Sequence, residues 1–320
     1  VDIDIHTFYM VLGFTLAAYS VVANDSIQTL GPWIASNSAR FKWYHLWAAT
    51  SSVLLVTLWY GWTVNGGDIS FGRLNSIPFQ EVQWYHALAP LILLWLTKKG
   101  IPVSTSFLVL SAFASTFVLE KMLAKSILGY ALAAGAAYII WFFVAKHINE
   151  KRDKIEGSHK KLWLIAQWSI TGFLWFTWLS HDMANIAVFL PRSLSLHEVM
   201  YVSVIFVLFL GYTLKGGGGK IQEVVLDKTG TRYIRSATII NLVYAFILLF
   251  FKEYNDIPMS TTWVFVGLLS GRELAISRVY EDYRFKNVFP LIRRDFYKMM
   301  FGLGVSVGIV IAIHYIIAPV

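Results

Sequence analysis

Apolar residues run through this chain in long blocks separated by short polar stretches. Ten blocks stand out, near 8–34, 43–64, 83–97, 101–120, 126–145, 162–190, 197–214, 233–251, 257–271 and 299–317. A helix needs about 20 predominantly apolar residues to cross bilayer hydrocarbon. The pattern therefore predicts an all-α, polytopic membrane protein of about ten membrane segments. The fourth and ninth blocks are short for a full crossing, and each opens on a proline, Pro102 or Pro258. They are expected to be broken or re-entrant helices.

Composition sharpens this. The 320 residues are 57% hydrophobic and 14% charged, with a mean hydropathy of +0.57, whereas soluble domains carry about 25% charged residues. A soluble enzyme and a nucleic-acid-binding domain are both excluded. The net charge of +8 is to be read through loop position. With zero cysteines, disulfides, thiol catalysis and Cys-ligated metals are out. The stretch Val1 to His6 is acidic and lacks the basic start of a signal peptide.

Lys and Arg fall on alternate sides of the ten segments. One set of loops holds 22 of the 27, including Lys98, Lys99, Lys151, Lys215 and Arg293; the other holds Arg73, Lys121, Lys125, Arg192 and Lys252. Basic loops stay in the cytoplasm. Both termini are thus expected outside, in a multi-pass protein of the cell (inner) membrane.

The chain also repeats itself. Ile101-Pro102-Val103-Ser104-Thr105-Ser106 returns as Ile257-Pro258-Met259-Ser260-Thr261-Thr262, Asn24-Asp25-Ser26-Ile27-Gln28 is echoed by His181-Asp182-Met183-Ala184-Asn185, and Gly61 to Gly67 by Gly211 to Gly217. The offsets are 156, 157 and 150 residues. Five segments per copy is an odd number, so the second copy is inverted relative to the first. Such 5+5 inverted-topology repeats with interrupted helices are the recurring plan of secondary transporters. The expected division is a first repeat at 1–148, a cytoplasmic linker at 149–161 and a second repeat at 162–320.

Asp25 and Asp182 lie within apolar blocks, where a charged carboxylate costs about 2.5–3.5 kcal/mol at mid-bilayer. Each is followed three residues later by an amide, Gln28 or Asn185, on the same helix face. Carboxylates, amide oxygens and freed backbone carbonyls form an oxygen shell suited to Na⁺, and a carboxylate alone carries a proton. The hydroxyls of Ser104, Thr105, Ser106, Ser260, Thr261 and Thr262 follow Pro102 and Pro258, which suit first helical turns. Helix N-termini favour anions, so these clusters form a candidate cradle for a tetrahedral oxyanion. His181, beside Asp182, is a candidate proton acceptor or donor to that anion.

The eight histidines show no zinc-ligand spacing. Gly216 to Gly219 lacks the surroundings of a phosphate loop and reads as a flexible connector. Arg272 and Glu273 read as a salt-bridged helix end, with a cytoplasmic gate as the alternative.

These residues resemble the inorganic phosphate transporter (PiT) family, whose hallmark is a duplicated Gly-Ala-Asn-Asp-Val-Ala-Asn-Ala-x-Gly-Pro stretch and a duplicated Pro-Val-Ser-Thr-Thr-His stretch. Ala23-Asn24-Asp25 through Gly31-Pro32 matches the first. His181-Asp182-Met183-Ala184-Asn185 keeps its Asp-x-Ala-Asn core but has His for Asn and reaches Pro191 two residues late. Pro102 to Ser106 and Pro258 to Thr262 match the second, both without its closing His.

The resemblance implies a cation-coupled symporter, often dimeric, that moves inorganic phosphate with Na⁺ or H⁺; sulfate or another oxyanion is the alternative cargo. It assigns Asn24, Asp25, Asp182 and Asn185 to the cation sites, with Na⁺ on Asp25 and Asp182 if sodium couples, and the Ser-Thr clusters to the anion. A passive anion channel is disfavoured, since paired carboxylates repel the permeant ion. No nucleophile–base pair or metal cluster points to an enzyme, and no cofactor beyond the coupling ion is expected.

Overall fold

The computed structural model describes residues 4–145, 158–228, 231–254, 256–279 and 285–317, apart from the side chains of 158, 159 and 314–316. The described residues form helices, turns and loops, without a strand. Five of the helical spans are long and apolar enough to cross a membrane: Ile5–Asn37, Thr116–Val144, Lys160–Ala187, Leu196–Lys215 and Ile234–Tyr254.

The first apolar block is one long rod whose regularity fails at its only acidic residue. α1 (Ile5–Val21) runs into a π-helical turn, Val22–Ser26, and continues as α2 (Ile27–Asn37). Such turns are rare and gather at functional sites; this one carries Asn24 and Asp25. Pro32 sits inside α2 and has no N–H to give the Gln28 carbonyl four residues back. The block around Asp182 is interrupted in the same way. α7 (Ser158–Asp182) stops at the carboxylate, and α8 (Ala184–Ala187) resumes after a turn at Met183.

α3 (Trp43–Val64) matches its predicted block residue for residue, and α4 (Leu88–Lys98) follows a short 3₁₀ turn at Trp84–Ala87. The proline-led fourth block is broken as expected, into α5 (Thr105–Leu108) and a 3₁₀ turn at Leu110–Ala112. Its counterpart is not. α12 (Thr261–Val279) is a continuous helix that runs eight residues past the predicted end, so Arg272 and Glu273 lie inside it and not at its end. Neither proline occupies a first turn: Ser104 caps α5, and Pro102 lies two residues earlier.

α6 (Thr116–Val144) begins ten residues before its predicted start, capped by Ser115. Lys125 therefore rides on a helix, buried, and not in a loop. α9 (Leu196–Lys215) opens on a capping box between Ser195 and Glu198. The glycine run after it is a tight turn: Gly217, Gly218 and Gly219 hold φ of +70°, +82° and +62°, a left-handed sequence that glycine tolerates without strain. It launches α10 (Gly219–Leu226), a helix absent from the expectations. α11 (Ile234–Tyr254) and α13 (Phe285–Ile311) complete the bundle. α13 starts 14 residues before its predicted block, which moves Arg293, Arg294 and Lys298 from a loop onto a helix. The linker expected at 149–161 lies outside the described residues as far as 157, and Ser158 to Lys161 belong to α7.

Packing crosses the two sequence halves. α12 lies along α6, where Gly267 and Gly271 bring its backbone against the carbonyls of Tyr130 and Ala134. The reciprocal pair, α5 against α13, is also in contact, with Gly302 close to Val103. Small residues four apart permit such close helix approach in membranes, where no hydrophobic drive holds helices together. The interior between these pairs is polar, and it holds the predicted residues.

Candidate functional site

Every one of the twelve predicted site residues is buried, each less than 9% exposed. Burial of this many polar side chains demands partners, and most of the partners come from the four predicted motifs themselves.

Asp25 is served by three of them. Asn24 Nδ2 donates to its Oδ1 at 2.7 Å, the Thr105 hydroxyl bonds its Oδ2, and the Thr262 hydroxyl lies 3.4 Å from Oδ1. Asn24 Nδ2 also reaches the Val103 carbonyl at 2.7 Å, and its own Oδ1 accepts from Gln28 Nε2 at 2.9 Å. Asp182 is built in parallel. Thr261 Oγ1 donates to it at 2.5 Å, His181 Nδ1 stands 3.4 Å away, and Asn185 is within hydrogen-bonding reach. Asp25 lies within electrostatic reach of Asp182.

The hydroxyl clusters pair across the same centre. Ser106 Oγ donates to the Met259 carbonyl at 3.0 Å, and Thr262 Oγ1 to the Val103 carbonyl at 3.1 Å. These are the same bond written twice, since Ser106 and Thr262, like Val103 and Met259, are 156 residues apart. Ser104 and Ser260 do matching work as caps: their oxygens accept from Phe107 N and Trp263 N, both at 3.2 Å. In this conformation Thr105 and Thr261 thus spend their hydroxyl protons on carboxylates.

Two oxygens are left over. Gln28 Oε1 and Asn185 Oδ1 are buried and have no hydrogen-bond partner among the described residues. A buried amide oxygen without a donor is costly, and both sit at the positions three residues past an Asp. Such oxygens, like the two carboxylates, are hard donors of the kind an alkali cation takes, and Pro32 leaves the Gln28 carbonyl without its helical donor. His181 Nε2 is also buried without a partner.

Several contributors were invisible in the sequence reading. Tyr244 of α11 donates to the Thr261 carbonyl at 3.0 Å, and Trp178 Nε1 reaches Thr261 Oγ1 at 3.3 Å. Ser126 Oγ accepts from Ser260 N at 2.8 Å, and Lys125 Nζ donates to the Ile257 carbonyl at 2.7 Å. Arg73, counted as a loop charge, is 1% exposed and donates to the Lys252 carbonyl at 3.1 Å; it lies within electrostatic reach of Asp182. The Val103 and Met259 carbonyls were readable in principle, because each lies at the same place between Pro and Ser in its repeat.

No family model matches the chain, and no curated protein sequence does. Among solved structures it is similar to one described as "The sodium-dependent phosphate transporter". That match has 14% identity, covers 98% of each chain and has a TM-score of 0.62. At that identity the likeness is one of fold, and it extends over nearly the whole length of both proteins. Together with the five apolar spans, it makes this chain an integral membrane protein.

Proposed function

We propose that the chain is a secondary active transporter, a divergent member of the inorganic phosphate transporter family, and that it carries inorganic phosphate in symport with Na⁺ or H⁺. The observation that carries this reading is the duplicated Asp–Thr pairing, Asp25 with Thr105 and Asp182 with Thr261. Twin carboxylates deep in an apolar bundle, each tied to a hydroxyl of a twin cluster, support a site in which cation and oxyanion depend on each other.

The cation binds at Asp25 and Asp182, with Asn24, Gln28 and Asn185 adding oxygens. It offsets the carboxylate charge and competes for the lone pairs that Thr105 and Thr261 now occupy. The freed hydroxyls, with those of Ser104, Ser106, Ser260 and Thr262 and with His181, turn to phosphate. Without the cation, a multiply charged anion beside two carboxylates is repelled, so neither ligand binds well alone. The two halves, 1–148 and 162–320, are inverted copies that rock about this centre. The protein sits in the cell membrane with both termini outside, and works as a homodimer. No step in this scheme is catalytic.

The test is radiolabelled phosphate uptake into proteoliposomes under an imposed Na⁺ or proton gradient. Uptake that depends on one gradient and is abolished in Asp25→Asn and Asp182→Asn is the expected result. Uptake unaltered by either substitution overturns the assigned cation role, and saturable uptake of sulfate but not phosphate overturns the cargo.

A further inference from the structure

The last long helix of each half carries the same short pattern, a lysine with a glycine one turn later: Lys125 to Gly129 in α6 and Lys298 to Gly302 in α13. A Lys-x-x-x-Gly run is common by itself. This pair is distinguished by what each member touches, which is the approach to the other half's Ser-Thr cluster.

Lys125 Nζ donates to the Ile257 carbonyl at 2.7 Å, immediately before Pro258. Lys298 Nζ donates to the Gly100 carbonyl at 3.0 Å, two residues before Pro102. The glycines repeat the exchange one turn further along. A Cβ at Gly129 would lie 3.6 Å from Met259 Sδ, and one at Gly302 would lie 3.4 Å from Val103 Cγ1. Met259 and Val103 stand between Pro and Ser in the two copies, and their carbonyls accept from Ser106 and Thr262. Each half thus holds the other's cluster at two points, by a lysine on the main chain and by a close seat for the side chain after the proline.

The two holds lie at opposite ends of the bundle. Asp295, one turn before Lys298, pairs with Lys228, and α11 begins shortly after Lys228, at Ile234. α11 then runs for 21 residues, which is about 30 Å, and its last residue, Tyr254, stands just ahead of Ile257. Gly100 is therefore held where α11 starts, and Ile257 where it finishes. Lys125 is buried, with its ammonium 6.0 Å from the Phe251 ring near that second end, and Lys298 is half-buried. With both bonds made, all twelve candidate site residues are shut away from solvent. A charged donor on a main-chain carbonyl makes a firm bond, and its release strands no carboxylate in the interior, unlike the break of a buried ion pair.

We propose that Lys125 and Lys298 are positioning residues that close the candidate site from opposite ends, each by fixing the segment that leads into the other half's Ser-Thr cluster. Release of Lys298 frees residues 100–106 from α13 and opens the site at that end. Release of Lys125 frees residues 257–262 from α6 and opens the other. That the two release in alternation rests on the transport reading above; the closure of each end by its own lysine does not.

The test uses the full chain in lipid nanodiscs, which present both ends to the same reagent. The chain has no cysteine, so Val103→Cys and Met259→Cys serve as single reporters, at positions 1% and 0% exposed. Their rates of reaction with a charged maleimide read opening at the Lys298 end and at the Lys125 end. Lys298→Met should speed labelling at position 103 about tenfold and leave position 259 unchanged, and Lys125→Met should do the reverse. Lys298→Arg, which keeps a charged donor on a long stem, should label at the parental rate. Acceleration at both reporters, at the opposite one or at neither overturns the proposal, as does a Lys298→Arg variant that labels as fast as Lys298→Met. Should Lys125→Met fail to fold, the Lys298 series decides alone. Labelling needs neither gradient nor phosphate, so a failed uptake assay leaves this result standing, and unchanged labelling beside intact uptake rejects the two lysines and not the transporter.

Discussion

The hydroxyl of Thr262 lies 3.4 Å from the carboxylate of Asp25, although 237 residues separate them in the chain. Its proton is shared with the Val103 carbonyl at 3.1 Å, the better of its two acceptors. Thr105 makes the tighter bond to the same carboxylate from the first half of the chain. Among the described residues Asp182 has no such dual service: Thr261 bonds it from the second half, while Ser106, the counterpart of Thr262, donates to the Met259 carbonyl.

This asymmetry ranks the threonines. Thr105→Val takes a full donor from a buried carboxylate and should cost about 1–3 kcal/mol. Thr262→Val removes the 3.1 Å bond to the neutral Val103 carbonyl and, on Asp25, only a contact at the outer limit of hydrogen-bond geometry; it should cost about 0.6 kcal/mol, the mean for a side-chain bond between membrane helices. Thermal unfolding of the purified protein should place Thr105→Val clearly below Thr262→Val, with Thr105→Ser near wild type. Equal shifts for the two valine variants would show that the bond to Thr105 carries no special weight.

The unpartnered amide oxygens yield a separate expectation. Gln28→Leu and Asn185→Leu remove Oε1 and Oδ1 while leaving both carboxylates in place. Each should raise the half-saturating concentration of the coupling cation about tenfold, which is about 1.4 kcal/mol. The KM for phosphate at saturating cation should stay close to wild type. A raised phosphate KM with an unchanged cation requirement would move these amides out of the cation site.

The residues that come together in the bundle were easier to read from the sequence than the helices that hold them. Asp25, Asp182 and the two Ser-Thr clusters stand out because charge and hydroxyls inside apolar blocks are conspicuous, and because duplication marks them twice. All four motifs do converge. Helix limits were misjudged where apolarity and helicity part company. α6 starts at Thr116, inside the fourth apolar block, and runs on through Glu120, Lys121 and Lys125, and α13 carries Lys286, Arg293 and Arg294 ahead of its apolar part; a hydropathy reading breaks at such charges although the helix does not. α12 carries Arg272 and Glu273 inside the bundle, where an ion pair shields them, so its block was cut short at Gly271. Arg73 and Tyr244 are single residues without a repeat partner in the motifs, and only packing reveals them.

That ion pair is open to a double-mutant cycle. Arg272 Nη1 donates to Glu273 at 2.8 Å, Nη2 donates to Ser236 Oγ at 2.8 Å, and the guanidinium lies 5.2 Å from the Trp141 ring centre. Both side chains are fully buried. Removing one partner leaves a charge in a dry interior, at a cost of about 3–5 kcal/mol, whereas replacing both is close to neutral in other buried pairs. Arg272→Met and Glu273→Leu should each lower folded yield and the unfolding midpoint strongly, and the double variant should recover much of the loss. Additive losses would mean that each side chain acts through its other neighbours and not through the pair.

The contact of α12 with α6 should be the least tolerant surface in the fold. A Cβ at Gly271 would run into the Ala134 carbonyl, and one at Gly267 into the Tyr130 carbonyl. Both obstacles are backbone atoms, so the helices must move apart, and the close packing that replaces a hydrophobic drive in lipid is lost. Overpacking a tight contact costs about 1–3 kcal/mol, and α12 begins with the two hydroxyls, of Thr261 and Thr262, that bond Asp182, Asp25 and the Val103 carbonyl. Gly271→Ala and Gly267→Ala should therefore lower the unfolding midpoint and phosphate uptake together. Gly135 provides the internal control: it is also helical, in α6, and a Cβ there meets nothing within 4 Å. Gly135→Ala should leave uptake unchanged and stabilise the helix by up to about 1 kcal/mol. If all three alanine variants behave alike, the close approach of α6 and α12 is not what holds the Thr261–Thr262 cluster in place.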